Sequence, residues 1–258
     1  MSKVIVIGDR SVGKTNMVYA LSEEPYEKVE PKDAPEGPFA PTQKIELRNL
    51  VVIVDLPSRS IELSLAWIDT PGELQSERQK QEDNPSLWQD FCHKVQTSDY
   101  VMLLLPPHEG LSNKTNNPVD TEEHFTTARQ SQNRFTEWWV PFLSKNCKKV
   151  RNILICRHKA DLFLKDIDKV GNIHRYRDGF SWKNHFEFSN NSFSEINNEI
   201  SQYKQNKNNS HQQVRLFVTT VHNRSLLESP WIYIATCESI KLKYLSLIHI
   251  SEPTRLRR

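Results

Sequence analysis

Glycine is scarce here, with seven among 258 residues, and three of them, Gly8, Gly13 and Gly72, fall in two short motifs where the backbone would have to approach a ligand closely. Cysteine is scarcer still. The four cysteines, Cys92, Cys147, Cys156 and Cys237, show no paired metal spacing and read as reduced, half-buried thiols. The nine histidines form no i, i+4 or chelating pattern, so no structural metal is expected. Net charge is nearly absent: 34 basic residues face 32 acidic ones, leaving no long-range field to argue for nucleic acid or an anionic membrane. The one basic cluster, Lys148-Lys149 with Arg151, reads as the solvated flank of a strand. No apolar run reaches the length of a bilayer span, and Lys3 is followed at once by a strand rather than a signal-type segment. These absences predict a cytoplasmic protein with no membrane span. The length allows one substantial core, or at most two small ones.

What is present is concentrated near the start. Gly8-Asp9-Arg10-Ser11-Val12-Gly13-Lys14-Thr15 fits G-x-x-x-x-G-K-S/T and directly follows the apolar run Val4-Ile5-Val6-Ile7. A strand there delivers the chain to a tight loop whose N–H groups wrap a phosphate. A helix over 15–21 then turns its positive dipole end toward the same anion. Lys14 can reach the β- and γ-phosphates, and the Thr15 hydroxyl can ligate Mg²⁺. Asp9 reads as shaping the loop rather than doing chemistry. The expectation is a nucleotide site.

Strands and helices alternate along the rest of the chain as a parallel sheet requires. Lys3–Ile7, Tyr100–Leu105, Val150–Cys156 and Val214–Thr219 read as buried strands, and Lys44–Asp55 with Ser60–Asp69 as an antiparallel pair. Residues 22–42 are proline-rich and read as a loop. Asn84-Pro85 starts a helix with Leu87, Trp88, Phe91 and Val95 as its apolar stripe. Asp120-Thr121-Glu122-Glu123 resembles a capping box for a helix carrying Phe125, Ala128, Phe135, Trp138, Trp139 and Phe142 inward. An Asn/Lys/Ser-rich insertion, about 165–212, suggests one amphipathic helix through Phe193, Ile196, Ile200 and Tyr203. A final helix over 226–244 is expected to bury Leu226, Leu227, Trp231, Ile234 and Ile240.

A second motif, Asp69-Thr70-Pro71-Gly72, ends the strand that closes on Ile68. A carboxylate there can hold Mg²⁺ through water, and the Gly72 N–H can sense a γ-phosphate. With the two motifs in this order, the chain resembles the Ras-like branch of P-loop GTPases, in the translation-factor-related class. The stretches between motifs are similar to prokaryotic double-GTPase and conflict-system relatives. The resemblance covers roughly residues 1–244. It implies a three-layer α/β P-loop NTPase fold, mainly parallel with one antiparallel edge strand, and the ligands GTP or GDP with Mg²⁺. Residue by residue, Thr42 then matches the switch threonine that meets Mg²⁺ and the γ-phosphate. His158-Lys159-Ala160-Asp161 resembles the guanine-reading N-K-x-D, with His158 where the family has Asn. Thr219-Thr220-Val221-His222 sits where a second base loop sits, with Thr220 and Val221 beside the base.

Two positions bear on turnover. Glu73 stands where Ras-like enzymes place a water-orienting Gln; it either takes a proton or points outward and leaves the water to another group. Arg10 occupies the loop position nearest the γ-phosphate, where it either stabilises charge in cis or lies along the surface and crowds out a partner's arginine. The resemblance implies slow hydrolysis of Mg·GTP, with 22–42 and 70–83 as switches and an effector or regulator protein of unknown identity. Two other readings stay open: a non-hydrolysing nucleotide scaffold, favoured by Glu73, His158 and the divergent second base loop, and a P-loop ATPase, for which no sensor or finger motif is visible. Residues 245–255 resemble the translation of a sequencing adapter, so 245–258 are expected to be a non-native tail after a domain over 1–244.

Overall fold

The computed structural model describes residues 2–9, 12–21, 46–56, 59–69, 82, 84–108, 111, 127–164, 175–176, 179–180, 182–206 and 211–241. Strand β1 (Ser2–Gly8) carries Val4, Ile5, Val6 and Ile7, all fully buried. A strand with no polar face has to be covered on both sides. Alternation sorts the four residues: Ile5 and Ile7 enter one core, Val4 and Val6 the other. Helix α1 (Lys14–Leu21) follows. Strands β2 (Glu46–Leu56) and β3 (Arg59–Asp69) pair antiparallel from Glu46 opposite Asp69 to Leu56 opposite Arg59.

Helix α2 (Pro85–Gln96) begins with proline at its first turn, where a missing N–H costs nothing, and buries Phe91 and Val95. Strand β4 (Tyr100–Leu105) is buried throughout. Helix α3 (128–146) runs as Ala128–Arg134, a π turn Phe135–Trp139, and Val140–Asn146. Pro141 accounts for the π turn. It has no N–H for the Glu137 carbonyl, and its ring crowds that carbonyl, so the ladder slips and Val140 N–H donates to the Phe135 carbonyl. The cap of α3 is Thr127: its hydroxyl accepts from Gln130 N–H at 3.1 Å, and the Gln130 side chain accepts from Thr127 N–H at 2.9 Å. The box expected at 120–123, with Phe125, lies outside the described residues.

Strand β5 (Asn152–Arg157) is followed by a small hairpin, β6 (Arg175–Tyr176) and β7 (Gly179–Phe180). Then come α4 (Trp182–Asn191), α5 (Asn197–Gln205), β8 (Gln213–Val218) and α6 (Arg224–Lys241). The main sheet has the order β2-β3-β1-β4-β5-β8, with β3, β1, β4, β5 and β8 all parallel. One face packs against α2, α3 and residues 193–203; the other packs against α1 and α6. The architecture is therefore three-layered α/β.

Some expectations are corrected. Among its described residues the insertion holds two α-helices rather than one; Phe193 and Ile196 precede α5, and all four expected apolar residues, with Ile200 and Tyr203, are buried. Helix α6 starts at Arg224 rather than 226, and Ile240 is 42% exposed. At about 100° per residue, Ile240 falls on the side opposite Trp231. Pro230 inside α6 frees the Leu226 carbonyl, which accepts from the Ser229 hydroxyl at 3.0 Å. Of the cysteines, Cys147 and Cys156 are fully buried rather than half-buried, and burial pushes both thiols up; all four are free. No helix among the described residues is long and apolar enough to cross a membrane.

Candidate functional site

The sheet fills outward from β1 in both directions, with β3 on one side and β4 on the other. Such a switch of direction opens a crevice at the carboxyl ends of the strands. The loop from Gly8 to Lys14 sits at that end of β1, so the fold puts the motif where an anion can approach. Two glycines make the loop possible. Gly8 has φ +151°, and a Cβ on it would lie 2.5 Å from the Leu104 carbonyl oxygen. Gly13 has φ +100°, and a Cβ on it would lie 2.8 Å from His158 Cδ2. Neither position admits a side chain without strain.

Lys14 is buried, and its Nζ donates to the carbonyls of Gly8 at 2.8 Å and Asp9 at 3.0 Å. The ammonium thus lies across the inside of the loop. Val12 anchors the loop in the second core. Thr15, half-buried, stands in the first turn of α1. The Asp9 carboxylate is held by Arg134 of α3, with Nη2 2.7 Å from Oδ1 and Nε 3.2 Å from the same oxygen. Arg134 was not singled out from the sequence; an arginine on a helix has no signature when its partner is 125 positions away.

The loops after β5 and β8 meet beside Gly13. His158 is buried, its N–H donates to the Leu105 carbonyl at 3.0 Å, and its Nδ1 lies 2.9 Å from the Thr219 hydroxyl. Burial lowers its pKa from 6.5 to about 4; Asp161 opposes this, while Lys159 and His222 add to it. The ring is neutral at physiological pH. Lys159 takes the left-handed conformation (φ 58°, ψ 46°), which turns the chain so that Ala160 N–H donates to the Thr219 carbonyl at 3.1 Å. Burial also lowers the Lys159 pKa, against the pull of Asp161. The Asp161 carboxylate accepts from the Thr220 hydroxyl at 2.5 Å, and its other oxygen lies 3.8 Å from His222 Nε2. Asp161 therefore already has one donor, which takes up only one of the several acceptor sites that a carboxylate offers. Val221 is half-buried against the second core. The two segments, 158–161 and 219–222, are thus in contact with each other, and the first lies beside Gly13.

Asp69 is the last residue of β3, one beyond Ile68, which pairs with Ile5 of β1. Arg10, Ser11, Thr42, Gly72 and Glu73 lie outside the described residues, as do nearly all of 22–42 and 70–83.

A buried polar group that sequence reading missed lies on the other face of the same sheet edge. Arg157, fully buried, donates to the Pro106 carbonyl at 2.7 Å and to Glu195, and its guanidinium lies 5.0 Å from the Phe193 ring. Glu195 Oε2 sits 3.2 Å from His108 Nε2, an ion-pair distance without hydrogen-bond alignment. Burial pushes the Glu195 carboxyl up, but His108 and the charge of Arg157 outweigh it and hold it below the usual carboxylate value. Arg157 and His158 are consecutive, so one ties the edge to residues 193–196 and the other lies against Gly13 in the loop after β1.

No protein-family model and no curated protein matches the chain. Among solved structures, it is similar to a chain of the signal recognition particle receptor SRb-GTP/SRX complex from Chaetomium thermophilum, at 14% identity and a TM-score of 0.46, over 86% of this chain and 91% of that one. A likeness of that degree carries no argument about this chain's chemistry.

Proposed function

We propose that this chain is a GTP-binding protein built on a P-loop NTPase fold, which slowly hydrolyses Mg·GTP and changes conformation in 22–42 and 70–83. The carrying observation is the loop at the end of β1, where two glycines sit at positive φ and the buried Lys14 lies across the loop carbonyls. The cradle that a Cβ would fill and the Thr15 hydroxyl at the head of α1 fit a phosphate chain with its metal. Mg²⁺, held by Thr15 with Thr42 and Asp69, would neutralise charge on the β- and γ-phosphates. Loop N–H groups between Gly8 and Thr15 receive the phosphate oxygens, and Lys14 turns from its carbonyls toward them. Asp161 accepts from the guanine N1–H and 2-amino group, the Lys159 stem covers the ring, and His158 braces Gly13. A backbone N–H at Thr220 or Val221 meets the guanine O6. Gly72 senses the γ-phosphate, and Glu73 stands at the water-orienting position. An effector or regulator reads the switch segments.

Equilibrium titration tests both halves of the site. Lys14→Ala weakens Mg·GTP binding at least tenfold, about 1.4 kcal/mol, in a variant that still melts cooperatively. Asp161→Asn loses GTP and gains xanthosine triphosphate, whose 2-oxo group needs a donor, by roughly 1.5–3 kcal/mol. Unchanged affinity in the first variant overturns the phosphate site. A wild type that prefers ATP, or a second variant with no shift between nucleotides, overturns the guanine reading. Single-turnover assays of the bound GTP separate a slow hydrolase from a scaffold.

A further inference from the structure

The phosphate loop carries a carboxylate of its own. Asp9 is the second residue of the loop, and its main-chain carbonyl is one of the two that hold Lys14 Nζ. A bare carboxylate there opposes the approach of a polyanion, because like charges a few ångströms apart in a partly desolvated crevice repel strongly. Arg134 answers that charge. Its guanidinium grips both Asp9 oxygens, at 2.7 and 3.2 Å to Oδ1 and 3.4 Å to Oδ2. It is itself fixed from behind, lying 4.9 Å over the Trp138 ring and 5.8 Å from the Trp139 ring. Those rings are not loose: Trp138 stands against Trp88 at 6.5 Å, and Trp139 meets Phe142 edge-on at 5.9 Å. A line of contacts therefore runs from the aromatic core through Arg134 and Asp9 to the carbonyl under Lys14.

We infer that Arg134 is a positioning residue for the nucleotide site, which neutralises Asp9 and fixes the loop carbonyl that orients Lys14, without itself touching the nucleotide. The inference rests on the phosphate-site reading above. It differs from an arginine that binds phosphate directly, because its whole effect passes through the Asp9 charge. It differs from a merely structural contact, because removing that charge removes the need for it.

A double-mutant cycle on the intact chain reads this, with Mg·GTP affinity measured at low and high salt and a melt for each variant. Arg134→Ala lowers affinity about fivefold or more at low salt, and the deficit shrinks as salt screens the uncovered carboxylate. In an Asp9→Asn background the same Arg134→Ala change costs less than twofold. Arg134→Lys, which keeps the charge and loses the fork, falls between Arg134→Ala and wild type. If Arg134→Ala fails to melt cooperatively, Arg134→Gln, which keeps the stem on Trp138, takes its place in the cycle. An equal loss in both backgrounds overturns the inference in favour of direct contact or simple structure. No loss in either also overturns it. Lys14→Ala separates the two levels. If it weakens binding while Arg134→Ala does not, only this inference falls; if Lys14→Ala is also without effect, the phosphate site falls and takes the inference with it.

Discussion

His158 is packed between Gly13 and Thr219 with no room for a water shell, and its pH response follows from that burial. Desolvation lowers its pKa from 6.5 to about 4, with Asp161 opposing and Lys159 and His222 assisting. Above pH 6.5 the ring is neutral in folded and unfolded chains alike, and its full contribution to stability is present. As pH falls from 6.5 to about 4 the unfolded chain takes up a proton that the folded chain refuses, so stability declines, by roughly 3 kcal/mol in all. Glu195, held below its ordinary 4.5, acts in a lower window, since its contribution is present above that value and is lost as pH falls through the lowered one. Denaturant titrations between pH 7 and 5 therefore sample the histidine's window above that of Glu195. His158→Asn, which cannot titrate, flattens that limb; a variant that loses stability with pH just as steeply assigns the loss to another group.

At the scale of elements, the segment from Phe193 through α5 is attached to the sheet edge by apolar burial and by the buried Arg157–Glu195 ion pair. Phe193, Ile196, Ile200 and Tyr203 join the first core, while Glu195 reaches Arg157 beneath them. A fully buried guanidinium without its carboxylate is costly. Glu195→Ala is expected to destabilise by about 3–5 kcal/mol, whereas replacing both partners with apolar residues of similar volume recovers most of that. Urea unfolding of Glu195→Ala and Arg157→Met/Glu195→Leu measures the difference. If the double variant is no better than the single one, the attachment depends on these groups' specific geometry rather than on avoiding an orphaned charge.

For the whole molecule, two cores share one sheet, and each needs its own helical layer. The second core relies on Leu227, Trp231 and Ile234 of α6, all buried. Ending the chain at Ser225 strips that face, and the loss of several large buried side chains, at about 2–5 kcal/mol each, exceeds the stability of an ordinary domain. No cooperative melt is expected from that chain. Ending it after Tyr244 keeps all of those residues and is expected to leave melting temperature and GTP affinity unchanged. A 244-residue chain that melts far below the full one shows that residues 245–258 carry stability.

The loop after β1 was legible because its signal is local: strand, glycines, lysine and hydroxyl lie within a few consecutive residues. The buried strands were legible because an apolar run covered on both faces leaves no other reading. The cap of α3 was missed for a physical reason, since Thr127–Gln130 is as short a signal as many that form nothing. The second helix of the insertion, and the exposure of Ile240 at the end of α6, depend on which neighbours reach those positions. Sequence alone determined the α/β layering and the place of the glycine-rich loop at the end of β1, because periodicity and turn chemistry act over a few residues. Only the tertiary structure decided that Arg134 closes on Asp9, that Arg157 takes Glu195, and that Thr220 meets Asp161. Those pairings join polar groups separated by dozens of residues, and they exist only once the strand order has brought the ends of β1, β5 and β8 to one edge.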